Sequence, residues 1–297
     1  MRHVAALSLV VLALAGCGSA RHAAAPPPPT VAAAVKKPIA RAPKLHVGLV
    51  GPVTVDTAGL ATQRGTLAQV GNAKLVLVSS QTILPSRLAA FARAHPRSHF
   101  ALVGASTAGE HAPNLVGLVL RDDQAAQLAG FVAGLVAADG GATGSAPRVA
   151  WVGPVERPLV GAFARGLHET APHAVLLRQW SRRIPARCKE AALTAIGRGA
   201  LVVMAHDGTC ADAAIAAAHQ QNLPSLRLSQ FELPDVAAGF VVRDALSGVY
   251  HGNEDIVFGA VSGAIGVRTL DPRIPLATAV RARAAAQELA SGVAPSG

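Results

Sequence analysis

The sequence has 297 residues, which is enough for two ordinary domains or one large one. Its 51% hydrophobic and 15% charged residues exclude a disordered acidic chain and a coiled coil, and its 3% aromatic residues require a mainly aliphatic core. The formal net charge of +10 favours anionic surfaces such as lipid headgroups, although a solvated basic surface is the simpler explanation. No nucleic-acid partner is predicted, because zinc-finger spacing, RNP-type aromatic motifs and Lys/Arg-rich runs are absent from the sequence.

Residues 1–16 have the pattern of an export signal. After a short basic start, Val4 to Ala15 forms an apolar run that is too short to span a bilayer as a stable helix. The run ends in Leu14-Ala15-Gly16-Cys17, which resembles a bacterial lipobox, the motif whose cysteine receives diacylglycerol. We therefore predict a lipoprotein signal peptide over residues 1–16 and lipidation of Cys17. The alternative is an ordinary signal peptide or signal anchor with an incidental cysteine.

Residues 17–43 are predicted to form a tether that follows the lipidated cysteine. This segment is rich in alanine and contains Pro26-Pro27-Pro28-Pro29, a composition that cannot bury a core. It favours an extended, partly polyproline II chain. The folded part is expected to begin near residue 44 and to lie on the extracytoplasmic face of the cell membrane.

From residue 44 onward, short apolar runs alternate with helical segments. The predicted strands are, in chain order, 45–50, 74–78, 99–103, 115–120, 148–153, 174–180, 200–205, 225–228, 239–242 and 255–258. The predicted helices are 58–70, 85–94, 124–137, 159–170, 188–198, 211–221 and 276–290. Strands that are apolar throughout and alternate with helices indicate an α/β fold with parallel sheets covered on both faces.

The length of this repeating part predicts two lobes. Two stacked lobes fit the usual size of a domain better than one open sheet of eight or more strands, which is the alternative. In doubly wound sheets, ligands bind beyond the carboxyl ends of the strands. Polar side chains recur at the predicted strand ends in this sequence. Any single one of them could simply terminate its strand, so the repetition is the signal. They are Asp56, Ser79, Ser80, Gln81, Ser106, Glu156, Asp207 and Gln230.

The centre of the sequence carries a family resemblance. Asn114-Leu-Val-Gly is followed by Asp123-Gln-Ala-Ala-Gln-Leu-Ala-Gly-Phe-Val-Ala-Gly134, and Val149-Ala-Trp-Val-Gly-Pro154 by Phe163-Ala-Arg-Gly166. These runs resemble the basic membrane protein family of bacterial lipoproteins, the purine-nucleoside-receptor-like substrate-binding proteins of ABC importers. The resemblance extends over about residues 45–295 and is strongest over 114–218.

The resemblance implies a type I periplasmic-binding fold, in which two Rossmann-like lobes are joined by a hinge of crossing strands and hold a ligand between them. It implies lobe 1 over residues 44–120 plus 230–263, and lobe 2 over residues 121–229 plus 264–297. The hinge crossings are expected near residues 120–121, 229–234 and 263–267. Hinge closure around the ligand would present a closed form to a membrane permease.

The residues expected to contact the ligand are drawn from the strand ends and from this resemblance. They are Asp56, Ser79, Ser106, Glu156, Asp207, Gln230, Phe231 and Arg243. The chain departs from the family at three of these places. After the first strand, Asp56-Thr-Ala-Gly has no aromatic residue to stack a base, and the family's ribose-binding carboxylate is replaced around Gln230. Phe231 is either a stacking face or a buried aromatic. At the third place, the lysine that the family carries after the following strand has no clear counterpart in this chain, and Arg243 is the nearest cation.

The two remaining cysteines, Cys188 and Cys210, each lie just beyond a predicted strand end. An even pair in an exported protein suggests a disulfide. The alternatives are two free buried thiols and, less simply, a metal or catalytic role. A disulfide requires Cα atoms roughly 4.4–6.8 Å apart.

The sequence does not indicate an enzyme. It has no Gly-x-Ser-x-Gly elbow and no His-Glu-x-x-His motif, and the dipeptide His206-Asp207 is a weak catalytic signal. The expected function is that of a lipid-anchored solute-binding protein that delivers a small polar, nucleoside-like ligand to an ABC importer. The alternative is a ligand-binding sensor or degenerate paralogue that is not coupled to transport. The expected partners are the ligand, the permease and the membrane; a monomer without cofactor or metal is expected.

Overall fold

A computed structural model provides the structure of this protein. It describes residues 44–140, 145–153, 157–180, 184–206 and 208–292. The predicted signal peptide, Cys17 and the tether lie outside the described residues, and so do Glu156 and Asp207. Residues 43–297 belong to one compact unit, so the two lobes described below can be discussed together.

Strands and helices alternate along the chain. The strands are β1 (Leu45–Val50), β2 (Leu60–Arg64), β3 (Leu75–Ser79), β4 (His99–Val103), β5 (Leu115–Leu120), β6 (Arg148–Gly153), β7 (Val175–Trp180), β8 (Ala200–Ala205), β9 (Ser225–Arg227) and β10 (Glu254–Phe258). The helices are α1 (Leu67–Val70), α2 (Pro85–Ala94), α3 (Asp122–Gly140), α4 (Arg157–Thr170), α5 (Pro185–Gly197), α6 (Thr209–Gln220), α7 (Pro234–Leu246) and α8 (Leu276–Ala290). A 3-10 turn at Leu228–Gln230 follows β9.

The strands form two parallel sheets. The first sheet has the order β10-β5-β4-β3-β1-β2, and the second has the order β7-β6-β8-β9. Each strand pair within them is parallel. We call the part built on the first sheet lobe 1 and the part built on the second sheet lobe 2.

Lobe 1 buries both faces of its sheet, because its strands are apolar at successive positions. Leu77 of β3 packs on one face with Val241 of α7, and the neighbouring Val76 packs on the other face with Leu88 of α2. These side chains are at most 4% exposed. Helices on both faces explain why the central strands read as continuous hydrophobic runs rather than as alternating ones.

Lobe 2 is covered by α3, α4 and α8 on one face and by α5 and α6 on the other. The first face holds Trp151 and Phe163, whose rings meet edge to face at a centroid distance of 5.3 Å. Helices α3 and α4 approach each other closely, because Gly130 and Gly166 stand where they cross. Among the described helices, none combines the length and the apolar character that crossing a bilayer requires.

Three segments of the described chain pass between the lobes. The first joins β5 to α3, and the amide of Arg121 donates to the carbonyl of Phe258 at 2.9 Å. The second joins β9 to α7, and the third joins β10 to α8. The second and third segments run antiparallel to each other. The amide of Leu233 donates to the carbonyl of Ala264 at 2.8 Å, and the amide of Gly266 donates to the carbonyl of Phe231 at 3.0 Å.

Two of the predicted elements are wrong. The predicted helix 58–70 is replaced by the edge strand β2, which pairs with β1, and by the one-turn helix α1. A helix through this segment would carry Gly59 and Gly65 in its interior, which is unfavourable by about 1 kcal/mol each relative to alanine. The predicted strand 239–242 is instead part of α7, whose apolar side chains recur at helical spacing on the sheet of lobe 1.

Candidate functional site

A cavity of approximately 920 Å³ lies between the two lobes, and we call it the interlobe cleft. Its lobe 1 wall is lined by Pro52, Val53, Thr54, Ser79, Ser80, Gln81, Val103 and Gly104. The crossing segments and lobe 2 contribute Leu120, Asp122, His206, Gly208, Leu228, Ser229, Glu232, Pro234 and Arg268.

The interlobe cleft lies at the carboxyl ends of strands from both sheets. Its walls follow β1, β3 and β4 in lobe 1 and β8 in lobe 2. This is the position at which open parallel sheets bind ligands, because loops from neighbouring strands converge there. Of the strand-end residues named from the sequence, Ser79, Ser80 and Gln81 belong to the described lining of this cleft.

The first loop of the lobe 1 wall is fixed by Arg64, which ends the edge strand β2. Its guanidinium Nη2 donates to the carbonyl of Val53 at 2.6 Å, and its Nη1 donates to the carbonyl of Gly51. Gly51 has φ +76°, and a Cβ there would lie 2.4 Å from Cγ2 of Thr82. The loops after β1 and β3 thus come so close together that glycine is required between them.

The loop after β3 is tied down through its backbone. The amide of Ser80 donates to Val103 at 3.0 Å, the Thr82 hydroxyl donates to the carbonyl of Ser79 at 2.7 Å, and the Gln81 amide donates to the Ser79 hydroxyl at 3.3 Å. The side chain of Gln81 remains exposed on the cleft wall. This wall therefore presents hydroxyl and amide groups on a fixed backbone.

Arg268 connects two of the crossing segments at the cleft. Its Nε donates to the carbonyl of Glu232 at 3.0 Å, and its Nη2 pairs with the carboxylate of Asp235 at the start of α7. The amide of Arg268 also donates to the carbonyl of Gln230 at 2.8 Å. The second and third crossings are therefore coupled to each other where they line the cleft.

The third crossing is anchored to lobe 2 by Asp271, whose side chain is 2% exposed. Its carboxylate accepts hydrogen bonds from the Ser225 hydroxyl at 2.8 Å, from Nε2 of His219 at 2.7 Å and from the Arg273 amide at 3.0 Å. Burial alone would raise the pKa of Asp271, but these hydrogen bonds outweigh it and lower the pKa to about 2.

Ser225, His219 and Asp271 have the composition of a catalytic triad without its geometry. Both Asp271 and the Ser225 hydroxyl reach the same nitrogen, Nε2 of His219, at 2.7 and 3.0 Å. A triad needs the carboxylate on one ring nitrogen and the nucleophile on the other, so that the ring can move a proton between them. This cluster instead fastens the third crossing to the start of β9.

Among the predicted ligand residues that the structure describes, Ser79 lies in the cleft lining. Gln230 lies beside the cleft in the second crossing, where its side chain accepts from the amide of Arg227 at 2.8 Å and donates to Thr269 at 3.1 Å. The next residue, Phe231, is fully buried in the core of lobe 2. The buried alternative for Phe231 is therefore the one that the structure supports.

The remaining described candidates lie apart from the cleft lining. Asp56 is exposed and accepts from the amide of Ala58 at 3.0 Å within its own loop. The Ser106 hydroxyl donates to Asp255 near the amino end of β10. Arg243 is exposed in the last turn of α7.

Sequence reasoning missed several residues that line the cleft. Glu232 and Arg268 belong to crossing segments, which have no periodic pattern to identify them. Thr54 lies beyond the first strand in a segment for which a helix was expected soon after. Of these residues, Glu232 alone falls within a hinge segment that the resemblance implied, residues 229–234.

The disulfide between Cys188 and Cys210 is confirmed, with Cα atoms 5.3 Å apart. It joins the first turn of α5 to the first turn of α6, and both side chains are buried. Cys210 lies two residues after Gly208, which lines the cleft. The bridge is therefore close to the lobe 2 wall.

Comparison with known proteins shows the fold. No family model and no curated protein matches the chain. The structure is similar to an ABC transporter solute-binding protein from Conexibacter woesei DSM 14684, with a TM-score of 0.58 and 19% identity over 84% of this chain and 97% of that one. It is also similar to ABC transporter solute-binding proteins from Aeropyrum pernix K1, with a TM-score of 0.54 and 18% identity over 85% and 82%.

A third similar structure is a transcriptional activator of the comK gene from Bacillus halodurans, with a TM-score of 0.60 and 14% identity over 84% of this chain and 99% of that one. At these identities the likeness concerns the fold. The predicted fold class is confirmed: the chain has the two-lobed α/β architecture of type I periplasmic-binding proteins.

Proposed function

We propose that this protein binds a small polar ligand in the interlobe cleft and closes its two lobes around it. The observation that carries the proposal is the cleft itself, which lies at the carboxyl strand ends of both sheets and is bordered by three crossing segments. A ligand that contacts both walls interacts best when the walls are close, so its binding favours the closed arrangement.

The proposed setting is the extracytoplasmic face of the cell membrane. There, a lipid on Cys17 and the tether over residues 17–43 would hold the folded part, and an ABC permease would receive the closed form. Structural likeness to two solute-binding proteins of ABC transporters supports this assignment, as does the export-signal pattern at the N-terminus. The proposed role is binding and delivery without chemical conversion of the ligand.

The cleft favours recognition by hydrogen bonds over stacking. Its described lining contains hydroxyl and amide side chains, including Thr54, Ser80 and Gln81, and no phenylalanine, tyrosine or tryptophan. A nucleoside bound there would lack a Phe, Tyr or Trp platform for its base on these walls. We therefore propose a polar, hydroxyl- or amide-bearing ligand, with nucleosides as one class to be tested.

A second candidate is a sensor that binds a ligand without delivering it to a permease. Two observations favour it: the chain departs from the resembled family at its base- and ribose-binding positions, and a similar structure is a transcriptional activator. The two candidates share the cleft and differ in what the closed form contacts.

A thermal-shift screen of nucleosides, sugars and small amphiphiles tests the shared claim. A ligand at 100 times its dissociation constant stabilises the folded protein by about 2.7 kcal/mol. Gln81→Ala removes a hydrogen-bonding group from the lobe 1 wall and should weaken binding about 3- to 10-fold. The matched control is Gln287→Ala, on the exposed side of α8.

The cleft is ruled out as the binding site if both variants respond to every stabilising compound as the unaltered protein does. The absence of any stabilising compound would count against ligand binding as a whole. Uptake of the labelled ligand by cells with and without the gene then separates delivery from sensing: delivery requires that uptake falls when the gene is removed.

A further inference from the structure

The disulfide lies at the junction between the core of lobe 2 and the interlobe cleft. Cys210 is the second residue of α6, and the chain reaches it from β8 through His206 and Gly208, both of which line the cleft. The amide of His206 donates to the carbonyl of Val152 at 3.0 Å, which holds the beginning of this loop against β6. The loop ends at the first turn of α6, where Cys210 is bonded to Cys188.

The beginning of α6 is a sharp turn whose N-cap residue supplies no side-chain hydrogen bond, although Asp212 in the first turn of the helix pairs with Arg227 of β9. Gly208 is the N-cap residue, with φ +91° and ψ −166°, a conformation essentially confined to glycine. It has no side chain with which to cap the helix, whereas a serine or aspartate at this position would hold the first turn by a hydrogen bond. The position of this turn therefore depends on what anchors the first residues of α6.

Packing alone fixes α6 weakly along its axis. Helices α5 and α6 pack on the same face of the sheet, and nine of the fourteen described residues in their buried cluster are alanines. Methyl groups form shallow ridges, so two such helices can slide past each other at little loss of contact. His219 holds the last turn of α6 to Asp271, and Asp212 in its first turn forms a partly exposed pair with Arg227. The covalent bond between Cys188 and Cys210 adds a buried link from α6 to α5 at the end that faces the cleft.

We propose that the Cys188–Cys210 disulfide is a positioning element for the lobe 2 wall, holding the turn at Gly208 in the geometry that contacts ligand. This inference rests on the proposed function for the meaning of the wall, but its test needs no ligand. A bond that acted solely on the unfolded chain would change global stability and leave the native turn unchanged. A positioning bond changes the native turn itself.

Hydrogen–deuterium exchange with mass spectrometry on the full-length protein separates these two roles. The variant is Cys188→Ser with Cys210→Ser, and the control is Val203→Ala, which opens a cavity in the same buried cluster and leaves the bond intact. Exchange is followed at a temperature where circular dichroism shows both variants folded. The same measurement on unaltered protein reduced with TCEP covers the case in which the double variant fails to fold.

We expect exchange of the amides at 209–214 to become at least about 10-fold faster without the bond, while amides of α3 and of lobe 1 keep their rates. The control should not show this local increase. Equal exchange of 209–214 in the double variant, or in the reduced protein, and in the control would overturn the proposal. Failure of the ligand screen would leave this exchange result unaffected, so the two claims fail separately.

Discussion

Helix α4 contains two glycines whose surroundings predict opposite effects of the same substitution. At Gly166, an added Cβ would lie 1.9 Å from the carbonyl oxygen of Gln127 and 2.8 Å from the amide nitrogen of Phe131, both in the backbone of α3. Backbone atoms cannot rotate away, so the helices must separate by more than about 1 Å to restore an ordinary contact. At Gly161, no atom outside the adjoining backbone of α4 and the two neighbouring residues lies within 4 Å of the added Cβ.

Gly166→Ala should therefore lower the free energy of unfolding by about 3 kcal/mol, the upper end of the range for overpacked cores. Gly161→Ala should raise it by about 0.5–1 kcal/mol, because alanine favours the helix relative to glycine. Urea unfolding followed by circular dichroism measures both. The reasoning fails if Gly166→Ala leaves the unfolding midpoint where it is in the unaltered protein, or if the two variants shift it equally.

Three further predictions concern the cleft and the pH dependence of stability. Arg64→Met should weaken ligand binding about 10-fold by releasing the loop after β1, whereas Arg87→Met, on the exposed side of α2, should have no effect on the dissociation constant. Because the pKa of Asp271 is lowered to about 2, its ionised carboxylate stabilises the folded protein above pH 3.8, and this contribution is lost as the pH falls towards about 2. Asp271→Asn should lower the free energy of unfolding at pH 6 by on the order of 2 kcal/mol. In urea unfolding measured between pH 2 and 4, the variant should lose less stability than the unaltered protein. A hydrogen bond to Asp244, aided by Glu254, raises the pKa of His251 above 6.5. The protonated side chain therefore stabilises the folded protein below pH 6.5, and this contribution is lost as the pH rises through the raised pKa. His251→Gln should abolish that loss in unfolding measurements between pH 6 and 9.

Much of the fold was predictable because the central strands are apolar and bounded by clear breaks. The bounds of β1, β4, β5 and β6 coincide with the predicted ones. The edge strand β2 was missed because four of its five side chains are not buried, and an exposed strand carries no hydrophobic pattern. Its pairing with β1 is decided by tertiary contacts, which local sequence does not report.

Helix α7 was missed for a different reason. Gly239-Phe-Val-Val242 is rich in β-branched and aromatic residues and so reads as a strand by propensity. Its context decides otherwise: Pro234 begins the helix, and Ala238, Val241 and Ala245 recur at helical spacing against the sheet of lobe 1. Burial of that face outweighs the local preference of four residues.

The sequence pointed to the strand ends that border the cleft, but to only part of the cleft lining. Strand ends are visible in the sequence, and they led to Ser79 and its neighbours. Arg268 and Asp271 act through contacts with residues more than thirty positions away, such as Asp235 and Ser225. No local sequence pattern predicts such long-range pairs. They can be identified only from the fold, which brings the crossing segments together.

Closure of the two lobes around a ligand is tested most directly by a distance between them. Nitroxide labels on Ser86→Cys in lobe 1 and Arg165→Cys in lobe 2 occupy exposed helical positions; the labelled chain also carries Cys17→Ser, and Cys188 and Cys210 are already bridged. Pulsed electron paramagnetic resonance would compare the free protein with the protein saturated by the most stabilising compound of the screen. The predicted result is a shorter and narrower distance distribution with ligand. An unchanged distribution at saturating ligand would contradict closure of the cleft.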